Sequence, residues 1–472
     1  AEGPHPAPCL RGVGTFGSCL PDCLGMAIDR RRGCQALEIG ALCTLLWTCQ
    51  FLCTWQAGEP AWLSTVPWVG VVRGRGAFSP TPHPRQSVQR HATTGSGDKS
   101  EAARLNRLLS KASSAPALES AMDEALCSPA FDQLHIATGF TRLAQLEQGS
   151  PQNLRQSPML MRWIEAAESA LSKGDMEASV VAMTFWSVAV LDGRAPHLQR
   201  LVPPLIEVII FCAGDLDARQ LANIVWGCAR LKLPRSQLQE VLPVVTQMAV
   251  DRADGFNAQD ISNMIWSGAK LRHDAPEVLD IMPVMREMAV ERADDMISQH
   301  VANIIWATSI LRHDSPSLLD ALPALAAQAK SERLSRRFSP QSLANMCWGL
   351  GACGFADKDL MSQVAIEVMR IAPGLHDRSA TSDLTQISGA FAKLGMRHRK
   401  MMGAVASRVA PIVRQMNHWN VCVLAWSYDQ LDHEGKFSDF RQQVWDEVKR
   451  RHFTLADVES TQLGPDVWRK KR

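Results

Sequence analysis

Tyrosine is almost missing from this chain: Tyr428 is the only one in 472 residues. Runs that alternate apolar and polar residues are scarce as well. Both shortages argue against an extensive β-sheet, which draws on aromatic and β-branched side chains at period two. Net charge is nearly absent, at +2. A chain so balanced does not hold a polyanion by bulk electrostatics alone. The apolar stretch from Ala41 to Cys53 falls short of the roughly 20 residues that span a bilayer, so no stable membrane span is expected in the mature protein. No phosphate-cradling glycine loop, His-Glu-x-x-His or Gly-x-Ser-x-Gly string occurs. No catalytic residue, metal ligand or cofactor is therefore assigned.

What is present is a repeat. Trp186, Trp226, Trp266 and Trp306 are each forty residues apart, and Trp348 follows after forty-two. The similarity extends around each tryptophan: LANIVWGCARLKL (Leu221 to Leu233), ISNMIWSGAKLRH (Ile261 to His273), VANIIWATSILRH (Val301 to His313) and LANMCWGLGACGF (Leu343 to Phe355). Weaker copies end at Gly193 and at Gly395, the latter with Gly389 in the tryptophan slot. Another restores the aromatic as Trp426, and a degenerate copy starts near His135. A constant period of this size marks stacked supersecondary units.

Each unit reads as two helices. Asp217, Asn257, Ser298 and Ser339 stand where the first helix needs a capping side chain, with Pro340 at a first helical position. Apolar residues then fall at helical spacing, as in Leu221, Ile224, Val225, Cys228 and Leu231. The second helix is expected near Asp274-Ala-Pro-Glu277, capped by Asp274. Pro203, Pro243, Pro283 and Pro323 recur behind it; each either kinks the second helix or marks its true start. The expected fold is all-α, an α-solenoid of about seven to eight two-helix repeats of about 40 residues.

Composition divides the chain into three. Residues 1–115 read as a targeting leader or a disordered basic arm, 116–432 as the solenoid, and 433–472 as a charged C-terminal helix or tail. In the first part a basic cluster (Arg30, Arg31, Arg32) precedes the apolar stretch, and small residues Ala57 and Gly58 follow. From Arg73 to Lys111 there are eight basic residues and two acidic ones, among many Ser, Thr, Pro and Gly. This order resembles the two-part leader of proteins sent to a complex algal plastid, with a mitochondrial leader as the competitor. An organellar location, plastid or mitochondrion, is the expectation. Seven of the thirteen cysteines lie before residue 54 without a second pair at finger-like distance, so no metal site is assigned.

The candidate binding residues form a strip on the first helices. At 100° per residue Asn223, Gly227 and Arg230 turn away from the apolar face, with Trp226 on the border. Asn263, Ser267 and Lys270 take the same places beside Trp266, followed by Asn303 and Ala307, then Asn345 and Gly349. A row of amides, small neighbours and occasional cations suits a single nucleic-acid strand. Amides read base edges, small residues let a base approach, Arg230 and Lys270 hold phosphates, and an aromatic face stacks a base. Trp186, Trp226, Trp266, Trp306 and Trp348 are either that stacking platform or packing wedges between repeats. The asparagines are either base contacts or a ladder that satisfies neighbouring backbone groups. His273 and His313 recur in a turn, where ordering the helix end is the simpler role.

The string Leu-Ala-Asn-x-x-Trp-x-x-Ala-x-Leu, as in Leu221 to Leu231, resembles the octotricopeptide repeats of organellar RNA-binding proteins. It is also similar to helical repeats of FAST-kinase-like mitochondrial proteins and of subunits of mitochondrial RNA-editing substrate-binding complexes. The resemblance covers about residues 130 to 432. It implies sequence-guided binding of an organellar transcript, in support of its processing, stability or translation, alongside other RNA-processing proteins. Such families often end in a small RAP domain; nothing after Asp432 resembles it, and the chain ends Trp-Arg-Lys-Lys-Arg. The expectation is a non-catalytic binder of single-stranded RNA, with a protein-binding scaffold of the same architecture as the alternative.

Overall fold

The computed structural model describes residues 96–147, 157–331 and 338–463. Within them the chain forms helices and turns, and no strand. The helices come in pairs: α1 (Ser96–Lys111) with α2 (Ala115–Cys127), α3 (Gln133–Glu147) with α4 (Pro158–Lys173), and α5 (Ala178–Val190) with α6 (Val202–Cys212). Next come α7 (Ala218–Leu231) with α8 (Arg235–Asp251), α9 (Ala258–Leu271) with α10 (Met282–Glu291), and α11 (Ser298–Leu311) with α12 (Leu322–Ser331). The last pairs are α13 (Pro340–Cys353) with α14 (Lys358–Ile371), α15 (Asp377–Lys393) with α16 (Arg399–Val409), and α17 (His418–Leu431) with α18 (Ser438–Arg450); a short α19 (Leu455–Ser460) follows. Each first helix packs on the first helix of the neighbouring pairs, and the second helices stack likewise. The result is an all-α solenoid with two rows.

The eight sequence copies occupy α3 to α18. The pair α1–α2 carries no copy of the motif, yet its Leu105, Leu109, Leu118 and Met122 are buried in the same core. Thus α1 lies within the segment that composition assigns to a leader; leucines four apart give it an apolar stripe that its basic surface disguises. The leader features of residues 1–95 lie outside the described residues. Helical residues Pro196–Asp215 are long and apolar enough to cross a membrane by length and composition. They are packed as the second member of their pair, with Leu198, Leu205 and Ile209 buried.

Local chemistry sets the helix starts. Asp217 accepts from the Gln220 N–H, while the Gln220 side chain accepts from the Asp217 N–H. Asn257 and Asp260 form the same reciprocal box, and Ser339 accepts from the Ser342 N–H ahead of Pro340. The expected cap Ser298 is instead the first residue of α11; Ile297 holds the cap position and makes no side-chain cap bond. Asp274 does not cap the second helix either. A 3-10 turn over Pro276–Ile281 starts behind Ala275, without a side-chain cap. Two backbone N–H groups, of Asp274 and Ala275, satisfy the Leu271 carbonyl instead, at 2.9 and 2.8 Å.

The second prolines mark helix starts in three copies. Pro203, Pro283 and Pro323 are the second residues of α6, α10 and α12, where a missing N–H costs nothing. Pro243 differs, lying inside the continuous helix α8. That unit has Ser236 where the others have Pro196, Pro276 or Pro316 to open a 3-10 turn.

Two devices hold neighbouring pairs together. Small residues let first helices approach: a Cβ on Gly349 would lie 2.6 Å from the Ile305 carbonyl oxygen, and one on Gly351 would lie 2.9 Å from the Ala390 Cα. A Cβ on Gly227 would lie 2.6 Å from the Phe185 ring, while Ser267 and Ala307 are fully buried. The small neighbours of the asparagines thus face the adjacent helix, not an open surface; their role in base approach is corrected to one in packing. Side chains at the ends of second helices also tie the next unit to the last. Arg252 donates to the Gly214 carbonyl at 2.6 Å, Gln328 to Met296 at 2.8 Å, Arg408 to Leu375 at 2.6 Å and Arg451 to Met416 at 2.8 Å. At the far end the lone tyrosine is buried, its hydroxyl donating to the Met402 carbonyl at 2.7 Å and its ring set edge-on to Phe437 and Phe440.

Candidate nucleic-acid interface

A first helix is enclosed by two neighbours and by its own partner, so only a narrow stripe reaches solvent. On α9 that stripe is Gln259, Asn263, Trp266 and Lys270, at i, i+4, i+7 and i+11, one face of a helix. The same register gives Arg219, Asn223, Trp226 and Arg230 on α7, then Gln299, Asn303, Trp306 and Ile310 on α11, and Gln341, Asn345, Trp348 and Ala352 on α13. Every sequence-derived candidate on these helices therefore falls on one strip. Its N-terminal rung, a long polar residue four before each asparagine, escaped the sequence reading although it recurs at the repeat period.

Access along the strip is uneven. Asn263 is half-buried and Lys270 exposed, whereas Asn223, Asn303 and Asn345 keep 8%, 5% and 7% of their surface. Trp186 and Trp306 are half-buried; Trp226, Trp266 and Trp348 are buried down to one edge. The tryptophans thus wedge between helices and offer solvent a rim. A polar chain crosses from one unit to the next: Gln259 donates to Asn263 Oδ1 at 2.8 Å, and His300 Nε2 bonds Gln259 Oε1 at 2.9 Å. Beside it the Asn303 Oδ1 and Trp266 Nε1 atoms are buried without a partner. Burial pushes His300 down to about 4 and Asp260 up to about 6.

Cations sit at the rim. The Lys270 ammonium lies 5.4 Å from the ring centres of both Trp266 and Trp306, bridging two repeats. A lysine the sequence reading missed, Lys393, lies 4.4 Å over Trp348 from two helices along. It stands four residues after Gly389, the slot that Arg230 and Lys270 hold after their tryptophans, so the repeat register carried a signal that the loss of the tryptophan masked. The turns leading from first to second helices add Lys232, Arg272 and Arg312 on this edge, and Arg235 opens α8. The opposite edge is acidic, with Asp215, Asp217 and Asp254 lining a shallow depression beside Arg252, whose guanidinium is tied to Gly214. His273 and His313 are exposed in the turns.

Among the described residues no group of three or more His, Cys, Asp or Glu side chains is placed to hold a metal ion. Cys228 and Cys347 are fully buried on the core face, where burial pushes the Cys228 thiol up to about 12. No curated protein matches this sequence. The family model described as RNA-editing substrate-binding complex 6 protein matches residues 199–434, half of the chain. That span runs from the turn before α6 to the end of α17 and encloses every asparagine of the strip. Of the three likenesses drawn from the repeat, it supports the one to editing-complex subunits; the octotricopeptide and FAST-kinase likenesses gain nothing from it. By that match and by its repeated fold, this chain belongs to the RNA-editing substrate-binding complex 6 protein family.

Proposed function

We propose that this chain is a non-catalytic subunit of an organellar RNA-processing assembly that holds single-stranded RNA across its first-row helices. The observation that carries the reading is the alignment of polar, aromatic and cationic side chains in one register over consecutive helices. A strand crossing the row meets the same chemistry at each unit. Arg230 and Lys270 neutralise phosphates at the rim, and the exposed edges of Trp186 and Trp306 offer apolar contact to bases. Asn263, the most open amide, contacts a base edge. Asn223, Asn303 and Asn345 lie deeper on the same track.

Full-length protein with the double substitution Asn263→Ala/Lys270→Ala tests this by fluorescence anisotropy with a labelled single-stranded RNA. Affinity should fall by about tenfold or more with the helical circular dichroism unchanged. Unchanged affinity would remove the strip as the RNA surface. Crosslinking in purified organelles identifies the transcript and whether plastid or mitochondrion holds it.

A second reading, a scaffold for protein partners, draws on the other row. Phe211 on α6 is 92% exposed and Ile366 on α14 is 62% exposed, apolar surface that a subunit of an assembly covers. The two readings use different rows and are compatible.

A further inference from the structure

We propose that Arg312 and Lys393 form a phosphate-binding site at the C-terminal ends of α11 and α15, farther along the same strip. The proposal rests on the RNA-binding reading and adds a site that combines two repeat slots, the turn position of Arg312 and the rim position of Lys393. Three successive first helices end here: α11 runs into Arg312, α13 ends at Cys353, and α15 ends at Lys393. The charges of Arg312 and Lys393 are close enough to repel one another, and both act on the Cys353 thiol between them.

Neither cation has a carboxylate partner among the described residues. Arg312 Nη1 donates to the Ser309 carbonyl at 2.5 Å, and the one acid nearby in sequence, Asp314, pairs with Arg272 at 3.8 Å. Lys393 Nζ donates to the Gln462 carbonyl at 2.8 Å and rests 4.4 Å over Trp348. Burial and the Arg312 charge together push Lys393 down to about 8. Two like charges held together, one of them largely desolvated, leave a cost that an anion relieves.

Helix C-termini oppose an anion through their partial negative charge. The Arg312 bond to Ser309 offsets that on α11, and four further guanidinium N–H donors remain for a ligand. A guanidinium at the end of α11 and an ammonium fixed over the Trp348 indole at the end of α15 flank the end of α13, the chemistry a phosphate asks for. Asn345 and Trp348 of the strip lie on the intervening helix, so a strand bound along α7 to α11 reaches the site by continuing in register.

The test compares wild type with Arg312→Gln/Lys393→Gln as full chains, binding 5′-hydroxyl and 5′-phosphate versions of one single-stranded RNA. The double variant should lose about tenfold in affinity, and the slope of log K against log salt should shrink by about 0.7 for each phosphate released. Loss with both RNAs assigns an internal phosphodiester; loss confined to the 5′-phosphate RNA assigns a terminal phosphate. Either supports the site.

Lys393→Arg separates binding from packing. Wild-type affinity should weaken between about pH 7 and about pH 9 as Lys393 loses its proton, since Arg312 stays charged and the Cys353 thiol is pushed up to about 11. Lys393→Arg should retain the affinity and lose that pH dependence. Full affinity in the double Gln variant overturns the site, as does a Lys393→Arg protein that binds as poorly as it. If Asn263→Ala/Lys270→Ala still weakens binding in that case, the RNA-binding reading survives and only this site falls.

Discussion

Helices α9 and α10 belong to one pair, yet they meet solvent very differently. On α9 eleven of fourteen residues are buried, and the open ones, Gln259, Asn263 and Lys270, share one line. On α10 only Met282, Met285 and Ala289 are buried, at the i, i+3 and i+7 spacing of an ordinary amphipathic helix. A second-row helix has one face to hide and can fill the rest with any soluble residue. A first-row helix has almost no free choice: neighbours on both sides demand small or apolar residues at most positions. Polar side chains that recur there, in register from unit to unit, stand where packing alone does not ask for them. That is why the first row carries the functional reading.

The largest expected effect tests the tight side of this contrast. Gly349→Ala drives a methyl to 2.6 Å from the Ile305 carbonyl oxygen, a backbone atom that cannot rotate away. Neighbouring helices must separate, at a cost of about 2–3 kcal/mol. Ile366→Ala on α14 removes a side chain that is 62% exposed and should change stability by no more than about 0.5 kcal/mol. Urea unfolding of both variants measures the difference. Equal midpoints would mean that the two rows are packed alike.

A second effect depends on pH. His300 is buried with Nε2 bonded to Gln259 and Nδ1 without a partner, so a proton added at Nδ1 finds no acceptor. Its folded value lies near 4, below the ordinary 6.5. The unfolded chain therefore binds the proton first, and the stability gained from a neutral His300 is present above about pH 6.5 and lost as pH falls towards 4. At most this amounts to roughly 3 kcal/mol. Asp260, raised by burial to about 6, acts with the opposite sign, its contribution being lost as pH rises through that value. Raw acid unfolding thus mixes the two. The difference between wild type and His300→Gln isolates the histidine: the variant should lose less stability between about pH 6.5 and about pH 4.

Much of this architecture is legible in the sequence because the forces that set it are local or periodic. The forty-residue tryptophan spacing, the Asp217–Gln220 box and the helical spacing of Leu221, Ile224 and Val225 need no knowledge of neighbours. What escapes is fixed by contacts between units. Gly227 and Gly349 look like openings for a ligand until the adjacent helix fills the space. Asp274 looks like a cap until Pro276 turns the chain into a 3-10 segment. Lys393 keeps the slot of Arg230 and Lys270, but its place over Trp348, forty-five residues earlier in sequence, appears only in the stack. The asparagines share one helix face at the repeat period, but how far each amide recedes depends on the close approach of helices that no single unit encodes.

The smallest effect on stability is the most informative about function. Lys270 is exposed and joins two units through its contacts with Trp266 and Trp306. Replacing it by glutamine forfeits a cation–π bridge worth about 0.5–1 kcal/mol at an exposed site, a change near the limit of a thermal melt. If the lysine serves packing alone, RNA affinity should follow stability and hardly move. If it serves the track, affinity should drop several-fold and the salt slope should fall by about 0.7, while the melt stays within about a degree or two of wild type. Lys270→Arg should then recover the binding, because charge and reach are kept. A glutamine variant that melts early but binds normally would return the first row to a purely structural role, and its polar line would be a ladder between helices.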